Sequence, residues 1–169
     1  MKAELLYVEG FDFININDYK STIIPNQHGT VFIKGNIRKE SRQDCLERVG
    51  KLVKVSTQTD ENTTKLMFLG IIKGCDIQSN GDVHELSLEI VSQSIAMEKK
   101  EHFRTFQKTS TSYEEILELI VKGYDKGAFI NTSQKQGTLN GFSCQYKEND
   151  WEYIKSNLVI CQEVFEKDF

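Results

Sequence analysis

The sequence predicts a mainly β protein with a smaller helical part, an α+β chain built on a small antiparallel β-barrel. Three observations carry this reading. Apolar residues recur with period two in several short runs between residues 28 and 95. An Asn-Gly pair, Asn80–Gly81, separates the last two runs as at a hairpin tip. Beyond residue 111 the period becomes helical, after a capping signal.

Taken in order, residues 11–25 predict an opening pair of strands, punctuated by Asp12, Asn15, Asn17 and Asp18. Val31, Ile33, Gly35 and Ile37 share one face of the next strand, with Phe32, Lys34 and Asn36 on the other. Residues 40–49 are polar and suit a loop or a short helix. The stretch 51–57 alternates again, with Val53 and Val55 inward. Leu66 to Ile72 is continuously apolar, as in a strand covered on both faces. Leu86, Leu88 and Ile90 alternate with Glu85, Ser87 and Glu89, which predicts a half-buried strand. Asn-Gly tolerates the positive φ of a tight turn, so these last two strands should pair antiparallel. The predicted core is Val31, Ile33, Val53, Val55, Phe68, Ile71, Leu86, Leu88 and Ile90.

Residues 97–111 show no core pattern and predict an extended linker that makes subunit contacts, with Phe103 and Phe106 as apolar anchors. Ser112-Tyr113-Glu114-Glu115 is a capping box. Tyr113, Ile116, Leu117, Ile120, Val121 and Tyr124 then keep helical spacing, so a helix over 113–123 should pack against the barrel. β structure returns at 128–131 and 142–146. Asn149 can cap a short helix over 150–156, with Asp150 and Glu152 at its positive end and Trp151 as a core anchor. The predicted organisation is a barrel over 1–100, a linker and helix over 101–127, and a partial second module over 128–169.

Composition narrows the function. The net charge is -4, and the charge is evenly spread, so no basic patch or stripe suggests nucleic acid. No apolar run approaches the roughly 20 residues of a membrane span, and no secretory leader is visible, so synthesis in the cytoplasm is expected. Cys45, Cys75, Cys144 and Cys161 form no C-x-x-C pair and have no histidine at ligand spacing. They are expected to be free thiols in or near the core, and neither a metal nor a cofactor is expected. His28, in a turn, His84, in a strand-edge pattern, and His102 have no nucleophile or carboxylate partner implied by spacing. No phosphate-binding, dinucleotide, serine-hydrolase or zinc-protease motif is present. The residues alone therefore lead to a β-rich domain with two helices and no visible active site.

The order of segments resembles a known family. Gln27-His28-Gly29-Thr30-Val31-Phe32-Ile33-Lys34-Gly35 is similar to the opening barrel strand of phage late control protein D and related contractile-tail baseplate hubs. Phe68-Leu69-Gly70-Ile71-Ile72 resembles that family's F-x-G-x-V strand, and Ser92, Ser94 and Met97 to Lys100 its strand exit. Arg104-Thr105-Phe106-Gln107 resembles its R-x-F-Q segment, and Ser112-Tyr113 with Ile116 its capped helix. The most specific match is Gln145-Tyr146-x-Glu148-x-Asp150-Trp151-Glu152-Tyr153-Ile154-Lys155.

The resemblance implies a tail-tube-like barrel and a structural, non-enzymatic role in a phage tail or related injection particle, including the spike proteins of type VI secretion. It implies trimers in which each subunit gives two barrels, adapting the tail tube to the central spike. The implied partners are other copies of the chain, the tube protein, the spike protein and other baseplate proteins. Gly29, Gly35, Gly70, Ser112, Tyr113, Asp150 and Trp151 stand at the structural positions of the motifs. One departure stands out: residues 157–161 turn β-like where the family continues helical, so a complete second barrel is not expected. A tube or tube-initiator component of the same machine, or an unrelated β-rich binding module, is the alternative reading.

Overall fold

The computed structural model describes residues 5–60, 63–124, 129–131, 137–139, 141–158 and 161–163. The chain divides into two compact units. Among the described residues, the first holds 5–22 and 29–93, and the second holds 23–28 and those from 94 on.

The first unit is an antiparallel sheet. Its strands are β1 (Leu5–Val8), β2 (Phe13–Thr22), β3 (Thr30–Ile37), β4 (Leu52–Asp60), β5 (Thr63–Asn80) and β6 (Val83–Ser92). They lie in the order β1-β4-β5-β6-β3-β2. The predicted alternation sets its inner face: Val31, Ile33, Ile37, Val53, Val55, Phe68, Ile72, Leu86, Leu88 and Ile90 are buried. Ile71, expected in the core, is only half-buried, because Leu66 to Ile72 alternates like the other strands and buries Phe68, Gly70 and Ile72 instead. The expected opening strand pair is a single edge strand, β2, whose register on β3 shifts twice among its asparagines and aspartate. Residues 39–46 form a 3-10 turn and then the short helix α1 (Arg42–Leu46).

Two glycines are sterically required. A Cβ at Gly35 would lie 2.8 Å from Phe13 Cδ1 and closer still to the Asn15 carbonyl oxygen. At Gly70 it would lie 2.8 Å from Phe68 Cε1 and Ile90 Cγ2, and closer to the Val91 carbonyl oxygen. Backbone is the obstacle in both places, so the strands approach this closely only without a side chain. Gly29 is buried, and its carbonyl accepts from Ser92 N at 2.8 Å. The hairpin turn lies one residue later than the Asn-Gly pattern suggests. Asn80 still pairs with Val83, and Gly81 and Asp82 form the loop, with positive φ at Gly81 alone. That is a type II′ turn, whose twist also suits an antiparallel pair.

The second unit has its own core of Met97, Ile116, Leu117, Ile120, Leu139, Trp151, Tyr153 and Ile154. Its elements are β7 (Glu101–Phe106), α2 (Tyr113–Val121), β8 (Phe129–Asn131), β9 (Ser143–Asn149), α3 (Asp150–Tyr153), a π turn (Ile154–Leu158) and β10 (Cys161–Glu163). β7 pairs antiparallel with β9, and β8 with β10. The capping box is present: Glu115 N donates to Ser112 Oγ at 3.1 Å, and Ser112 N donates to Glu115 Oε2 at 2.7 Å. Tyr113 N donates to the Gly137 carbonyl. The face of α2 that was expected to meet the barrel buries Ile116, Leu117 and Ile120 in this core. The segment read as a linker is in large part strand β7, which the spacing of Phe103 and Phe106 concealed. Asn149 caps α3 as predicted, accepting from Glu152 N at 2.8 Å. The β-like turn expected over 157–161 begins later, because the π turn runs to Leu158.

Candidate structural site around Asp150

The most unusual side chain of the second unit is Asp150, which is wholly buried. A buried carboxylate is costly unless it is paired and hydrogen-bonded. The local backbone delivers its partners. On β7 the residues alternate, so His102, Arg104 and Phe106 turn inward while Glu101, Phe103 and Thr105 face out. On β9 the alternation breaks at Lys147, a non-glycine residue with φ 50°. The register jumps there from Phe103↔Tyr146 to His102↔Glu148, a β-bulge. The extra residue resets which side chains point inward beyond the bulge, so Gln145 and Asp150 both enter one polar pocket.

Arg104 Nη1 donates to Asp150 Oδ1 in a short bond and to Gln145 Oε1 at 3.0 Å. Arg104 Nη2 donates to Asp150 Oδ2 at 3.3 Å. Gln145 Nε2 donates to Asp150 Oδ1 at 2.8 Å and to the Glu148 carbonyl at 3.0 Å. Tyr124 OH donates to Asp150 Oδ2 at 2.7 Å. His102 completes the ring. Its Nδ1 lies 3.3 Å from Arg104 Nη2, and its Nε2 lies 3.4 Å from Asp150 Oδ2. A guanidinium only donates, so Nδ1 must accept and the proton must sit on Nε2, toward the carboxylate.

The titration of these groups reflects the same geometry. Burial pushes the Asp150 carboxyl up, but the hydrogen bonds from Arg104, Gln145 and Tyr124 and the guanidinium charge outweigh it, so its pKa is lowered. Burial lowers the His102 pKa; Asp150 pulls it back up, and Arg104 and Lys100 add to the lowering. This agrees with the neutral tautomer. Burial, and then the hydrogen bond to Asp150, raises the Tyr124 phenol. Both carboxylate oxygens and the Gln145 amide are engaged by protein groups, which leaves the cluster turned in on itself. Its chemistry is fastening: one carboxylate ties β7, β9, α3 and the chain just after α2 together.

A second contact lies beside it. Trp151 is buried, and the His28 ring stacks on it with centroids 4.3 Å apart. His28 Nδ1 lies 2.6 Å from Ser94 Oγ, and Nε2 lies 3.0 Å from Glu98 Oε1. This histidine therefore has a hydroxyl and a carboxylate neighbour that spacing did not reveal. His84 is buried, with Nδ1 2.8 Å from Ser79 Oγ, and so is not an exposed strand-edge residue. Cys45 is buried, but Cys144 is exposed on β9, contrary to the expectation of core thiols. Cys75 is half-buried on β5, while the side chain of Cys161 lies outside the described residues.

The two phenylalanines expected to anchor subunit contacts part company. Phe106 is half-buried, stacked on Tyr153 at 5.9 Å, and belongs to the core of its own unit. Phe103 is 63% exposed. It meets Tyr146 edge-on at 5.3 Å, and Tyr146 and Phe142 are exposed as well. β7 and β9 thus present an aromatic outer face.

Among the described residues, every partner of Asp150 lies inside one stretch that matches a family model: the model of the phage tail baseplate hub (GPD) covers residues 30–156. The chain belongs to the phage tail baseplate hub family. Among solved structures it resembles the E. coli c3393 protein, described as a component of the type VI secretion system with structural similarity to T4 bacteriophage tail proteins gp27 and gp5. The identity is 13% and the TM-score 0.50, over 89% of this chain and 41% of that one. The chain thus spans less than half the length of that structure. No curated protein matches the sequence. The baseplate hub family is structural, and the mostly β fold accords with it. Among the described residues, no helix is long and apolar enough to cross a membrane.

Sequence reading placed Asp150 as a helix-dipole charge and missed its partners Arg104, Gln145, Tyr124 and His102. The available signal was that Arg104 and Gln145 each stand in a family-like segment, R-x-F-Q and Q-Y-x-E.

Proposed function

We propose that this chain is a structural subunit of the tail baseplate hub, joining the tail tube to the central spike without catalysing a reaction. The observation that carries the reading is the family match over residues 30–156, which takes in β3 to β6, α2 and all five members of the Asp150 network. In this reading the sheet is the tube-facing scaffold, and the network keeps the second unit rigid while load passes along the tail. The aromatic face of Phe103, Phe142 and Tyr146 supports contact with a neighbouring subunit, another copy or a tube or spike protein. A stable contact of this kind buries well above about 1,000 Å². The dense hydrogen bonding of Asp150 supports a role without turnover, since its carboxylate is committed to holding the fold. The chain would be made in the bacterial host's cytoplasm and end in the particle. A reconstruction of the assembled particle tests this: the chain should lie on the central axis where tube and spike meet, in threefold arrangement. Its absence from that position would sink the proposal.

A further inference from the structure

We propose that Asn80 is a site of spontaneous covalent modification, converting to aspartate and isoaspartate through the backbone nitrogen of Gly81. In this reaction the Gly81 amide nitrogen attacks Cγ of Asn80, and a new C–N bond closes a five-membered imide. The bond from Cγ to the side-chain nitrogen breaks, and ammonia leaves with the proton from Gly81. Water then opens the ring at either carbonyl, giving aspartate or isoaspartate. Water is the sole co-reactant.

The structure favours the step at this residue. Asn80 and Gly81 are both exposed at the tip of the β5–β6 hairpin. Gly81 lies outside the strand ladder, which ends at Asn80↔Val83, so its amide is not spent on the sheet. Apart from Gly81 itself and its two chain neighbours, no atom lies within 4 Å of where a Gly81 Cβ would be, so the rest of the protein leaves the turn open on that side. The attack requires Asn80 to leave its extended conformation. That motion is cheap at a hairpin end, where local opening costs far less than global unfolding. Asn15, Asn17, Asn26, Asn36 and Asn149 each precede a residue larger than glycine, which hinders the same attack.

The product alters the tip. Isoaspartate routes the backbone through the former side chain and adds one methylene between Asn80 and Gly81. The two-residue turn can no longer close with Asn80 opposite Val83. Either product also places a new negative charge two residues from Asp82.

The test incubates the folded chain in mildly alkaline buffer at physiological temperature beside a synthetic peptide covering 74–99. Both are then mapped by trypsin and fragment mass spectrometry, with enzymatic methylation to count isoaspartate. The expected result is conversion at residue 80 in the folded chain before the peptide is exhausted, and ahead of the asparagines that precede larger residues. Asn140–Gly141 repeats the dipeptide in a different tryptic fragment, so the map separates the two. Asn80→Gln should abolish the signal in the 74–99 fragment with an unchanged melting midpoint. An intact Asn80 after the peptide has fully converted, or a signal that survives Asn80→Gln, would overturn the proposal.

Discussion

Replacing Arg104 by leucine isolates the worth of the buried network. The Asp150 side chain is 0% exposed and that of Arg104 is 26% exposed, so the carboxylate cannot recover its lost partner from water. Breaking a buried pair by removing one member costs about 3–5 kcal/mol, since the other charge stays behind unpaired. At a urea slope of about 2 kcal/mol per molar, that lowers the unfolding midpoint by about 1.5–2.5 M. Trp151 is the chain's one tryptophan and is buried in the same unit as the network, so its fluorescence reports this transition. The double variant Arg104→Leu with Asp150→Asn should recover part of the loss, because it removes the stranded charge. Acid should erode the same network. The Asp150 pKa is lower in the fold than its ordinary 3.8, so its stabilisation is complete above that value. It is lost as pH falls through 3.8 to the folded pKa. His102, lowered from 6.5, adds a smaller decline that begins as pH falls through that value. In Arg104→Leu the acid limb should shrink, because the guanidinium that helps hold the carboxyl down is gone. A loss below about 1 kcal/mol, the scale of an exposed ion pair, would refute the account of Asp150 as a fastening point.

Further substitutions probe the backbone and the surface. Gly70→Ala should cost at least about 1–3 kcal/mol by overpacking, whereas Gly74→Ala should be mild, since its nearest neighbour is Glu89 Cβ at 3.7 Å. Equal melting midpoints for the two would remove the steric reason for Gly70. Lys147→Gly should raise stability by up to about 1 kcal/mol by relieving the left-handed backbone at the bulge, and a lowered midpoint would contradict that. Phe103→Ser and Tyr146→Ser should leave stability within about 0.5 kcal/mol of the parent but reduce incorporation into particles. Phe106→Ser should instead destabilise the chain itself, so wild-type incorporation by the Phe103 variant would end the role given to the outer face.

The alternation of Val31, Ile33 and Ile37, and of Leu86, Leu88 and Ile90, was legible because a half-buried strand writes its inward face into every second residue. The Ser112 capping box and the Asn149 cap were legible for a similar reason, since each acts within three residues of chain. β7 was hidden, because its inward residues are His102, Arg104 and Phe106, and no apolar period can show a face built for a buried carboxylate. The shift of the hairpin turn to Gly81–Asp82 is likewise a matter of which residues pair across the strands.

By itself, then, the order of residues determined the strand faces, the capped helices, and the family to which the ordered motifs point. All of these rest on interactions between near neighbours or on segments compared one at a time. Tertiary structure alone decided that Asp150 meets Arg104 from 46 residues away, that His28 stacks on Trp151, and that Phe106 turns inward while Phe103 stays exposed. The Asp150 network depends on the bulge at Lys147 and on the β7–β9 register, which bring together groups whose separation along the chain carries no periodic trace.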